Sequence, residues 1–512
     1  MKPIDPPAGF NDYIRKLEEE LKAQTAQAGE AETTAPVGGE ENLEEFHLQP
    51  REMVEYLNKY VIDQSEAVSI LATKICTHFN RIKLLKDKAP VGMVKSNIMM
   101  IGPTGVGKTF IIKLIADKLR VPFVKGDATK FSETGYVGGD VDDLVRELVK
   151  QADGDLERAS HGIIYIDEID KIASTVKMGI RDVSGSGVQR NLLKLMEETE
   201  VNLKPAHDFA AQMEAVIQTQ RTGKAPHKTV NTRNILFVVS GAFQGLTEII
   251  RKRLSKQPMG FQRELLPTDL TEEQYLRQST ADDFIQYGFE SEFIGRLPIT
   301  AVLNHLDEKS LYKILQNPEA AVIRSKEIDF AAYDIEVEFN DDALKEIARL
   351  AAQAKTGARS LTRIIETTLM PYEEKLPGSG LLKLTVDAKL VEDPIGQLMP
   401  RVVEGGIAHF SRRFAADYNI ELEFDTSACE YLGEIHARDG ISIPLLLEGM
   451  LKDFAYGLKL MDRAHQTISG DVLRNPRVWM DRLIKESYSA REQRELPPAP
   501  PPEEGREDTA SD

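Results

Sequence analysis

A complete phosphate-binding pattern constrains the fold more than any other feature of the chain. The pattern G-x-x-x-x-G-K-[ST] is fulfilled by Gly102, Pro103, Thr104, Gly105, Val106, Gly107, Lys108 and Thr109. Its glycines allow the backbone to curl so that N–H groups point at phosphate oxygens. The pattern therefore predicts a nucleotide site, and a chance match in a glycine-containing loop is the alternative.

The segments on both sides of this pattern provide the context that it needs. Residues 97–101 form a short apolar run typical of a buried strand, and residues 110–116 are typical of a helix. A helix N-terminus adds partial positive charge to a phosphate site. We expect Lys108 to reach the β and γ phosphates of ATP, and Thr109 to bind Mg²⁺.

Short apolar strands alternate with helical stretches between residues 97 and 245. The predicted strands are 97–101, 121–125, 162–167 and 234–240. This alternation predicts an α/β domain with a mainly parallel sheet and helices on both faces. From residue 305 to residue 372 the pattern is mostly helical, which predicts a smaller second domain.

The composition argues against several classes of function. The 512 residues carry a formal net charge of −18, which disfavours a nucleic-acid partner. Two cysteines, Cys76 and Cys429, are too few for a zinc ribbon or a disulfide framework. The chain start lacks the pattern of a signal peptide, and no apolar run approaches the ~18 residues of a membrane span. We therefore expect a cytoplasmic protein with no membrane partner.

A second motif supplies two carboxylates. The apolar run at 163–166 ends in Asp167 and Glu168. In a parallel sheet these groups would lie at the carboxyl edge, beside the phosphate loop. We expect Asp167 to hold Mg²⁺ through water and Glu168 to act as general base on the attacking water. The alternative is an ordinary strand that ends in a solvated acidic turn.

The C-terminal half contains an internal repeat. Residues 330–343 (FAAYDIEVEFNDDA) align with residues 414–428 (FAADYNIELEFDTSA) when one residue is inserted, and a helical segment follows each stretch. The alignment predicts a second copy of the small domain. Chance similarity between two amphipathic strand-plus-helix segments is the alternative.

The motifs and their order resemble the AAA+ ATPases, and among them the protein unfoldases of the ClpX and HslU type. The matching segments are KYVIDQ (59–64), GPTGVGKT (102–109), DATKFSETGYVG (127–138), GIIYIDEIDKI (162–172), RDVSGSGVQRNLLKLME (181–197), NILFVVSGAF (234–243), EFIGRLP (292–298) and KTGARSL (355–361). The resemblance covers about residues 50–375. The layout is similar to that of ClpX, but the cysteines of an N-terminal zinc-binding domain are absent. The resemblance implies an ATP hydrolase that unfolds proteins.

The resemblance and the repeat together imply a domain organisation. It comprises a flexible acidic N-terminal segment (1–47), an AAA+ large ATPase domain (48–304), an AAA+ small domain (305–385), a duplicated small domain (400–488) and a disordered Pro-rich acidic tail (489–512). In the second copy DGIS (439–442) stands where the first has GAR. The second copy therefore lacks the sensing arginine, and we expect it to be structural or partner-binding.

The resemblance also implies roles for single residues. Val61 and Ile62 would pack on adenine, and Ser240 would lie near the γ-phosphate. Arg296 would be an arginine finger that completes the site of a neighbouring subunit. Arg359 would be the second sensor, which carries the nucleotide state into the small domain. Taken alone, each arginine is more often a surface ion pair. Val61 and Ile62 are also compatible with a core pair at a helix start, which does not exclude contact with adenine.

Substrate handling is implied for an aromatic residue between glycines. In these unfoldases the loop corresponding to Gly135, Tyr136, Val137 and Gly138 lines the pore of a hexameric ring. Tyr136 would grip polypeptide by bulk and apolar contact. The alternative is a tyrosine packed at the edge of the core. The resemblance thus implies a homo-hexamer that acts on protein substrates with ATP and Mg²⁺, and it disfavours a nucleic-acid motor.

A peptidase partner is less constrained by the sequence. Unfoldases of the ClpX type dock a ClpP-type peptidase through an Ile-Gly-Phe loop, and Met259, Gly260 and Phe261 stand at the corresponding point. An apolar tip on an exposed loop would serve as a dock, whereas Met and Phe tucked under the ring are the alternative. A stand-alone AAA+ chaperone or disassembly factor therefore stays open.

Overall fold

The computed structural model describes the chain in several stretches. They are residues 49–85, 95–132, 139–173, 176–177, 180–181, 183–203, 229–255, 270–461 and 463–495. These stretches divide into two compact units. The large unit holds described residues up to 323 together with 347–364, and the C-terminal unit holds residues 324–346 and those from 365 onward. No helix within the described stretches is both long and apolar enough to cross a membrane.

A five-stranded parallel sheet with the strand order β2-β3-β8-β1-β9 forms the centre of the large unit. Its strands are β1 (Ile98–Ile101), β2 (Phe123–Asp127), β3 (Ile163–Asp167), β8 (Leu236–Gly241) and β9 (Ile299–Val302). The predicted α/β fold with a parallel sheet is confirmed. Strand β9 was not predicted, because it lies beyond the alternating region and joins the sheet edge through long-range pairing with β1.

Two short antiparallel pairs accompany this sheet. They are β4 (Val176–Lys177) with β5 (Ile180–Arg181), and β6 (Glu200–Asn202) with β7 (Thr229–Asn231). The helices of the large unit are α1 (Pro50–Tyr60), α2 (Ser65–Leu85), α3 (Lys108–Leu119), α4 (Asp143–Gln151), α5 (Leu156–Ser160), α6 (Val183–Met196), α7 (Leu246–Ser255), α8 (Glu272–Leu276), α9 (Ala281–Tyr287), α10 (Ser291–Gly295) and α11 (Glu308–Gln316).

The sheet is covered on both faces. All residues of β1 and β8 are buried, which is why these strands are continuous apolar runs in the sequence. Side chains of β3 such as Ile164 and Ile166 share one core cluster with Leu144 of α4 and Leu192 of α6. Because the faces are filled, ligands are expected in the crevice at the carboxyl ends of the strands.

The C-terminal region repeats one arrangement of elements. Its members are α12 (Ala321–Ala331), β10 (Glu336–Phe339), α13 (Asp341–Ala354), α14 (Ala358–Lys375), β11 (Lys383–Val386), α15 (Ala388–Glu392), α16 (Leu398–Tyr418), β12 (Glu421–Phe424), α17 (Thr426–Asp439), α18 (Ile443–Met450), α19 (Phe454–Leu460), β13 (His465–Ile468), α20 (Gly470–Arg474) and α21 (Pro476–Glu495). We call residues 321–392 the first repeat and residues 398–474 the second repeat. Helices α13 and α14 have residues in both units.

The two repeats agree in detail. In each, a helix leads into a four-residue strand that pairs in parallel with a later strand, β10 with β11 and β12 with β13. The backbone just before the first strand is left-handed in both, at Asp334 (φ 61°) and Asn419 (φ 57°). The aligned apolar positions are buried in both: Phe330 and Phe414, Ile335 and Ile420, Val337 and Leu422, Ala343 and Ala428. This agreement supports the predicted duplication.

Helix α16 contacts both repeats through adjacent glycines. A Cβ placed on Gly405 would lie 2.7 Å from Leu381 Cβ, and one placed on Gly406 would lie 2.4 Å from Ile443 Cβ. Real Cβ atoms do not approach so closely, so both positions require glycine unless the neighbouring residues move. The two glycines let one helix pack against the end of the first repeat and the body of the second.

The last helix corrects the predicted start of the tail. Helix α21 continues to Glu495, so residues 489–495 are helical rather than disordered. Arg, Glu and Gln favour helix, and the helix ends two residues before Pro497, where a proline disfavours the helical conformation of its predecessor. The predicted N-terminal segment 1–47 and residues 496–512 lie outside the described stretches.

Candidate nucleotide-binding site

The phosphate loop joins β1 to α3. Gly105 (φ 80°) and Gly107 (φ 96°) adopt left-handed conformations that residues with a Cβ rarely take. Helix α3 begins at Lys108, so its unpaired N–H groups face the loop. The N–H of Gly102 donates to the carbonyl oxygen of Gly241 at 3.2 Å, which ties the loop to the end of β8. The arrangement is a backbone anion site at a helix N-terminus.

The side chain of Lys108 lies folded onto this loop. Its Nζ donates to the carbonyl oxygens of Gly102 at 2.6 Å and of Pro103 at 2.7 Å. Burial lowers the pKa of Lys108, and the nearby charges of Asp167 and Asp170 oppose this shift without cancelling it. Two neutral carbonyls compensate an ammonium group less well than phosphate oxygens, so the site favours an anionic ligand.

Four polar groups meet where α3, β3 and β8 converge. Tyr165 Oη lies 2.6 Å from Ser240 Oγ, and Ser240 Oγ donates to Asp167 Oδ1 at 2.7 Å. Thr109 Oγ1 donates to Tyr165 Oη at 3.2 Å. The structure therefore brings the predicted metal ligands Thr109 and Asp167 together with Ser240. A hydroxyl and a carboxylate beside a phosphate loop fit Mg²⁺, which takes few protein ligands and completes its shell with phosphate and water.

A lysine of the neighbouring strand β2 also contacts Asp167. Lys125 Nζ lies 3.2 Å from Asp167 Oδ2. Burial would raise the pKa of Asp167, but the hydrogen bond from Ser240 and the contact with Lys125 outweigh it, and the net pKa lies below its ordinary value. The carboxylate is thus ionised and suited to bind a cation.

Glu168 has surroundings different from those of Asp167. Its side chain is exposed, and its backbone is left-handed with φ 57°. Its N–H donates to Asp167 Oδ1 at 3.1 Å. A non-glycine residue in this conformation costs about 1 kcal/mol, and such strain often occurs at functional sites. The role of general base stays a prediction for this residue.

The predicted adenine contacts lie in the turn between α1 and α2. Val61 is buried and Ile62 is half-buried. The next residue, Asp63, is left-handed (φ 55°) and accepts hydrogen bonds from Ser310 Oγ at 2.7 Å and Lys313 Nζ at 3.0 Å. The turn is thereby fixed to helix α11, which stabilises the conformation in which Val61 and Ile62 are placed.

A second pair of hydrogen bonds links this turn towards the phosphate loop. Gln64 Nε2 donates to Asn304 O at 2.9 Å, and the Asn304 N–H donates to Gln64 Oε1 at 2.7 Å. Leu303 packs so tightly on Gly102 that a Cβ on this glycine would lie 2.9 Å from Leu303 Cβ. The turn and the loop therefore contact adjacent residues of one segment, which supports their assignment to one site.

The start of α14 packs against the phosphate loop. The Ala358 N–H donates to Gly105 O at 2.9 Å. A Cβ on Gly357 (φ 62°) would lie 2.6 Å from Gly105 O and 3.0 Å from Thr104 O. Arg359 follows directly and is exposed, and its charge is one of the influences that lower the pKa of Lys108. The structure thus places the predicted second sensor beside the loop.

Arg296 lies on a different part of the large unit. It follows α10 and forms an ion pair with Glu197 at the end of α6, with 2.5 Å between Nη2 and Oε1. Its side chain is 45% exposed. The guanidinium of Arg296 thus pairs with Glu197, and the Arg296 carbonyl oxygen accepts from Asn97 Nδ2 at 3.0 Å. The role of arginine finger for a neighbouring subunit stays a prediction.

Two predicted sites lie outside the described stretches. They are the loop Gly135, Tyr136, Val137 and Gly138, and the segment Met259, Gly260 and Phe261. Their predicted roles in gripping substrate and in docking a peptidase stay predictions.

Sequence reasoning missed several residues of the site. Tyr165 was treated only as part of an apolar strand, and Lys125 only as part of another. The contact of Lys125 with Asp167 depends on the register of β2 with β3, and the contact of Tyr165 with Ser240 depends on the register of β3 with β8. The contact of Gly357 with the loop and the pairing of Glu197 with Arg296 are long-range. The charge of Lys125 within an otherwise apolar predicted strand was the one local signal for a charged partner.

Two family models match the chain. One is described as AAA domain (Cdc48 subfamily) and covers residues 94–300. The other is the C-terminal, D2-small domain of ClpB protein and covers residues 306–381. Both matches end before the second repeat begins, so neither assigns that repeat to a family.

Curated relatives match over a longer stretch. The ATP-dependent Clp protease ATP-binding subunit ClpX of Treponema denticola is 38% identical over 351 residues, which is 67% of this chain and 81% of the relative. The protein of the same name from Borrelia duttonii is 38% identical over 346 residues, 66% of this chain and 77% of the relative.

Proposed function

The chain belongs to the ClpX family of Clp ATPases, and from this premise we propose that it unfolds proteins as a homo-hexameric ring. It is an ATP hydrolase. In this ring, Mg²⁺-ATP bound between subunits drives polypeptide through a central pore and into a ClpP-type peptidase. The peptidase step is supported by the relatives, each of which is an ATP-dependent Clp protease ATP-binding subunit.

The proposal rests on one observation: most of the predicted site residues meet at the phosphate loop, but the predicted arginine finger does not. Thr109, Asp167 and Ser240 meet at the phosphate loop, whereas Arg296 is exposed and contacts Glu197. An arginine that stabilises phosphoryl-transfer charge is worth about 10³–10⁵ in rate. A site that draws this arginine from a neighbour is active only in an oligomer, which is why we propose a ring.

Each residue of the site has a defined task in this proposal. The loop N–H groups and Lys108 bind phosphate, and Thr109 and Asp167 hold Mg²⁺, which supplies charge neutralisation at the phosphates. Glu168 polarises the attacking water. Val61 and Ile62 contact adenine, and Arg359 couples the nucleotide state to α14. Ser240 fixes the Asp167 carboxylate through its hydrogen bond.

Replacement of Glu168 tests the chemistry. Glu168→Gln keeps the size of the side chain, and we expect it to bind ATP normally and to lose turnover by at least about 10²-fold, because a general base contributes 10²–10⁴. Glu292→Gln, an exposed acid at the start of α10, is the control and is expected to hydrolyse ATP at the wild-type rate. Normal hydrolysis by Glu168→Gln would overturn the assignment.

Replacement of Tyr136 tests the handling of substrate. Tyr136→Ala is expected to retain ATP hydrolysis and to lose unfolding of a tagged fluorescent protein, since the grip depends on aromatic bulk. Tyr136→Phe keeps this bulk and is expected to unfold the same substrate. Equal unfolding by the Ala variant and the wild type would exclude the gripping role.

Assembly and peptidase docking are separate tests. Light scattering of Glu168→Gln with ATP is expected to give the mass of six chains, and a monomer under these conditions would contradict the ring. Replacement of Met259 and Phe261 by Ser is expected to abolish degradation with a ClpP-type peptidase while unfolding persists. If the wild type unfolds substrate but never stimulates such a peptidase, the stand-alone chaperone is the correct function.

A further inference from the structure

We propose that Tyr165 is a positioning residue for the metal-nucleotide site: its phenolic oxygen accepts the proton of Thr109, and its own proton ties Ser240 to Asp167. The inference rests on the proposed function of this site in binding Mg²⁺-ATP. Tyr165 is a buried residue of β3, and the inference assigns a role to its hydroxyl group. Four oxygen atoms, those of Thr109, Tyr165, Ser240 and Asp167, share the three protons of the hydroxyl groups.

The direction of the hydrogen bonds follows from counting donors. An ionised carboxylate only accepts, so the 2.7 Å contact between Ser240 Oγ and Asp167 uses the single proton of the serine. The 2.6 Å contact between Tyr165 Oη and Ser240 Oγ then uses the phenolic proton, because the other acceptor within reach, Asp167 Oδ1, lies farther away at 3.5 Å. Thr109 is left as the donor to Tyr165 Oη at 3.2 Å. The chain of donors therefore runs from Thr109 through Tyr165 and Ser240 to Asp167.

This direction suits a metal site. A threonine hydroxyl binds a cation through an oxygen lone pair, so its proton must point to another acceptor. Tyr165 Oη is that acceptor, and it thereby directs the lone pairs of Thr109 away from itself. At the other end of the chain, Asp167 receives a hydrogen bond on Oδ1, while Oδ2 faces Lys125. The two expected metal ligands are thus oriented by one connected network before metal binds.

The hydroxyl of Tyr165 is not needed for packing. The side chain is 0% exposed and follows two isoleucines and precedes a third in β3, and its ring lies near that of Phe123 with 6.4 Å between centroids. A phenylalanine would fill the same space without burying a polar atom, and an unpaired buried hydroxyl is costly. The chain keeps a hydroxyl where packing alone favours a hydrocarbon.

Tyr165→Phe in the full chain is the test. The Mg²⁺ concentration that gives half-maximal tightening of a fluorescent ADP analogue is expected to rise about five- to tenfold, the effect of losing one or two hydrogen bonds. Binding of the analogue without Mg²⁺ is expected to change less than about twofold, because the phosphate loop is untouched. In ATP hydrolysis we expect kcat to fall with KM nearly constant, since ligand orientation matters most in the transition state.

Tyr372→Phe is the matched control. Tyr372 is also fully buried, and its hydroxyl donates to Pro394 O at 2.9 Å in the C-terminal unit. This variant is expected to lose a similar amount of stability and to keep the wild-type Mg²⁺ response. An equal Mg²⁺ response in the two variants would overturn the inference. If Tyr165→Phe does not fold, Ser240→Ala removes the next link of the chain and is expected to give the same Mg²⁺ shift, and a normal shift there would equally overturn it.

The double variant provides a further measurement. Because both residues act in one chain, Tyr165→Phe with Ser240→Ala is expected to shift the Mg²⁺ response by less than the product of the single shifts. If the shift of the double variant equals the product of the two single shifts, the residues do not act in one connected network. Failure of the proposed function has a different signature, because the wild type itself would then show no Mg²⁺-dependent binding of the analogue.

Discussion

The first and second repeats have the same arrangement of strands, but the glycines that precede helices α14 and α18 have different surroundings. Both have the same strand pairing and the same left-handed residue before the first strand. They differ where a helix follows a left-handed glycine, at Gly357 before α14 and at Gly440 before α18. Gly357 is packed against the phosphate loop, whereas a Cβ on Gly440 would meet nothing within 4 Å.

This difference separates the core that the two repeats share from the contact that the first repeat makes with the phosphate loop. The first repeat contributes Arg359 directly after its loop contact, and the second repeat has Ser442 near the equivalent point. The buried positions that hold each repeat together are retained. Stability depends on the shared core, and the link to nucleotide depends on a few residues at one helix start. The following variants separate these two properties.

The largest effect is expected from alanine at the packed glycine. Gly357→Ala introduces a Cβ that would lie 2.6 Å from Gly105 O, so the phosphate loop must shift. We expect ADP affinity to fall at least about tenfold, in addition to the roughly 1 kcal/mol cost of a left-handed alanine. Titration with a fluorescent ADP analogue measures the first effect, and thermal unfolding measures the second.

Gly440→Ala is the matched variant in the second repeat. It has a similar φ of 68° and open space around the new methyl group. We expect the same cost of about 1 kcal/mol in stability and unchanged ADP affinity. If both variants bind ADP alike, the repeats do not differ in their link to nucleotide and the comparison fails.

A smaller effect is expected from alanine within helix α16. Gly406→Ala would bring a Cβ within 2.4 Å of Ile443 Cβ, and overpacking of this kind costs about 1–3 kcal/mol. Gly433→Ala in α17 meets its nearest neighbour at an ordinary 3.6 Å and is expected to stabilise by up to about 1 kcal/mol, because alanine favours helix. Denaturant unfolding distinguishes them. Normal ATP hydrolysis by folded Gly406→Ala would show that the packing of the second repeat is separable from the nucleotide site.

The smallest effect concerns pH. Partial burial, followed by the charges of Arg412 and Arg413, lowers the pKa of His409, which packs against Gly380. A lowered histidine pKa means that the unfolded chain binds the proton first, so stability falls as pH drops below the ordinary value of about 6.5. His409→Gln is expected to reduce this acid sensitivity, seen as a smaller loss of Tm between about pH 7.5 and about pH 5.5. An unchanged pH dependence would exclude His409 as its source.

The sequence predicted those features that are determined by residues close together along the chain, namely the strands and the repeat. The apolar runs gave four strands of the sheet, and the topology of a parallel sheet then predicted that Asp167 would lie beside the phosphate loop that carries Thr109. The position of Ser240 near this site was implied by the resemblance alone. The repeat was visible because its buried positions recur in the same order. The start of the tail was wrong, since charged residues up to Glu495 favour helix despite their polarity.

The unpredicted parts depend on contacts between distant segments. A tyrosine in an apolar strand gives no sign of its hydroxyl partners until the strand register is known, and Tyr165 meets groups from α3 and β8. Likewise the partner of Lys125 is Asp167, which lies on the neighbouring strand β3. The contact between Gly357 and Gly105 joins segments some 250 residues apart, where no periodicity carries information.

The left-handed backbone at Glu168 makes this carboxylate locally expensive to keep. Glycine takes the same φ without penalty, so Glu168→Gly is expected to raise the melting temperature even as it silences hydrolysis. At this position a substitution that raises thermal stability is thus expected to lower the rate of ATP hydrolysis. In the proposed function the strained glutamate is retained because its carboxylate polarises the attacking water.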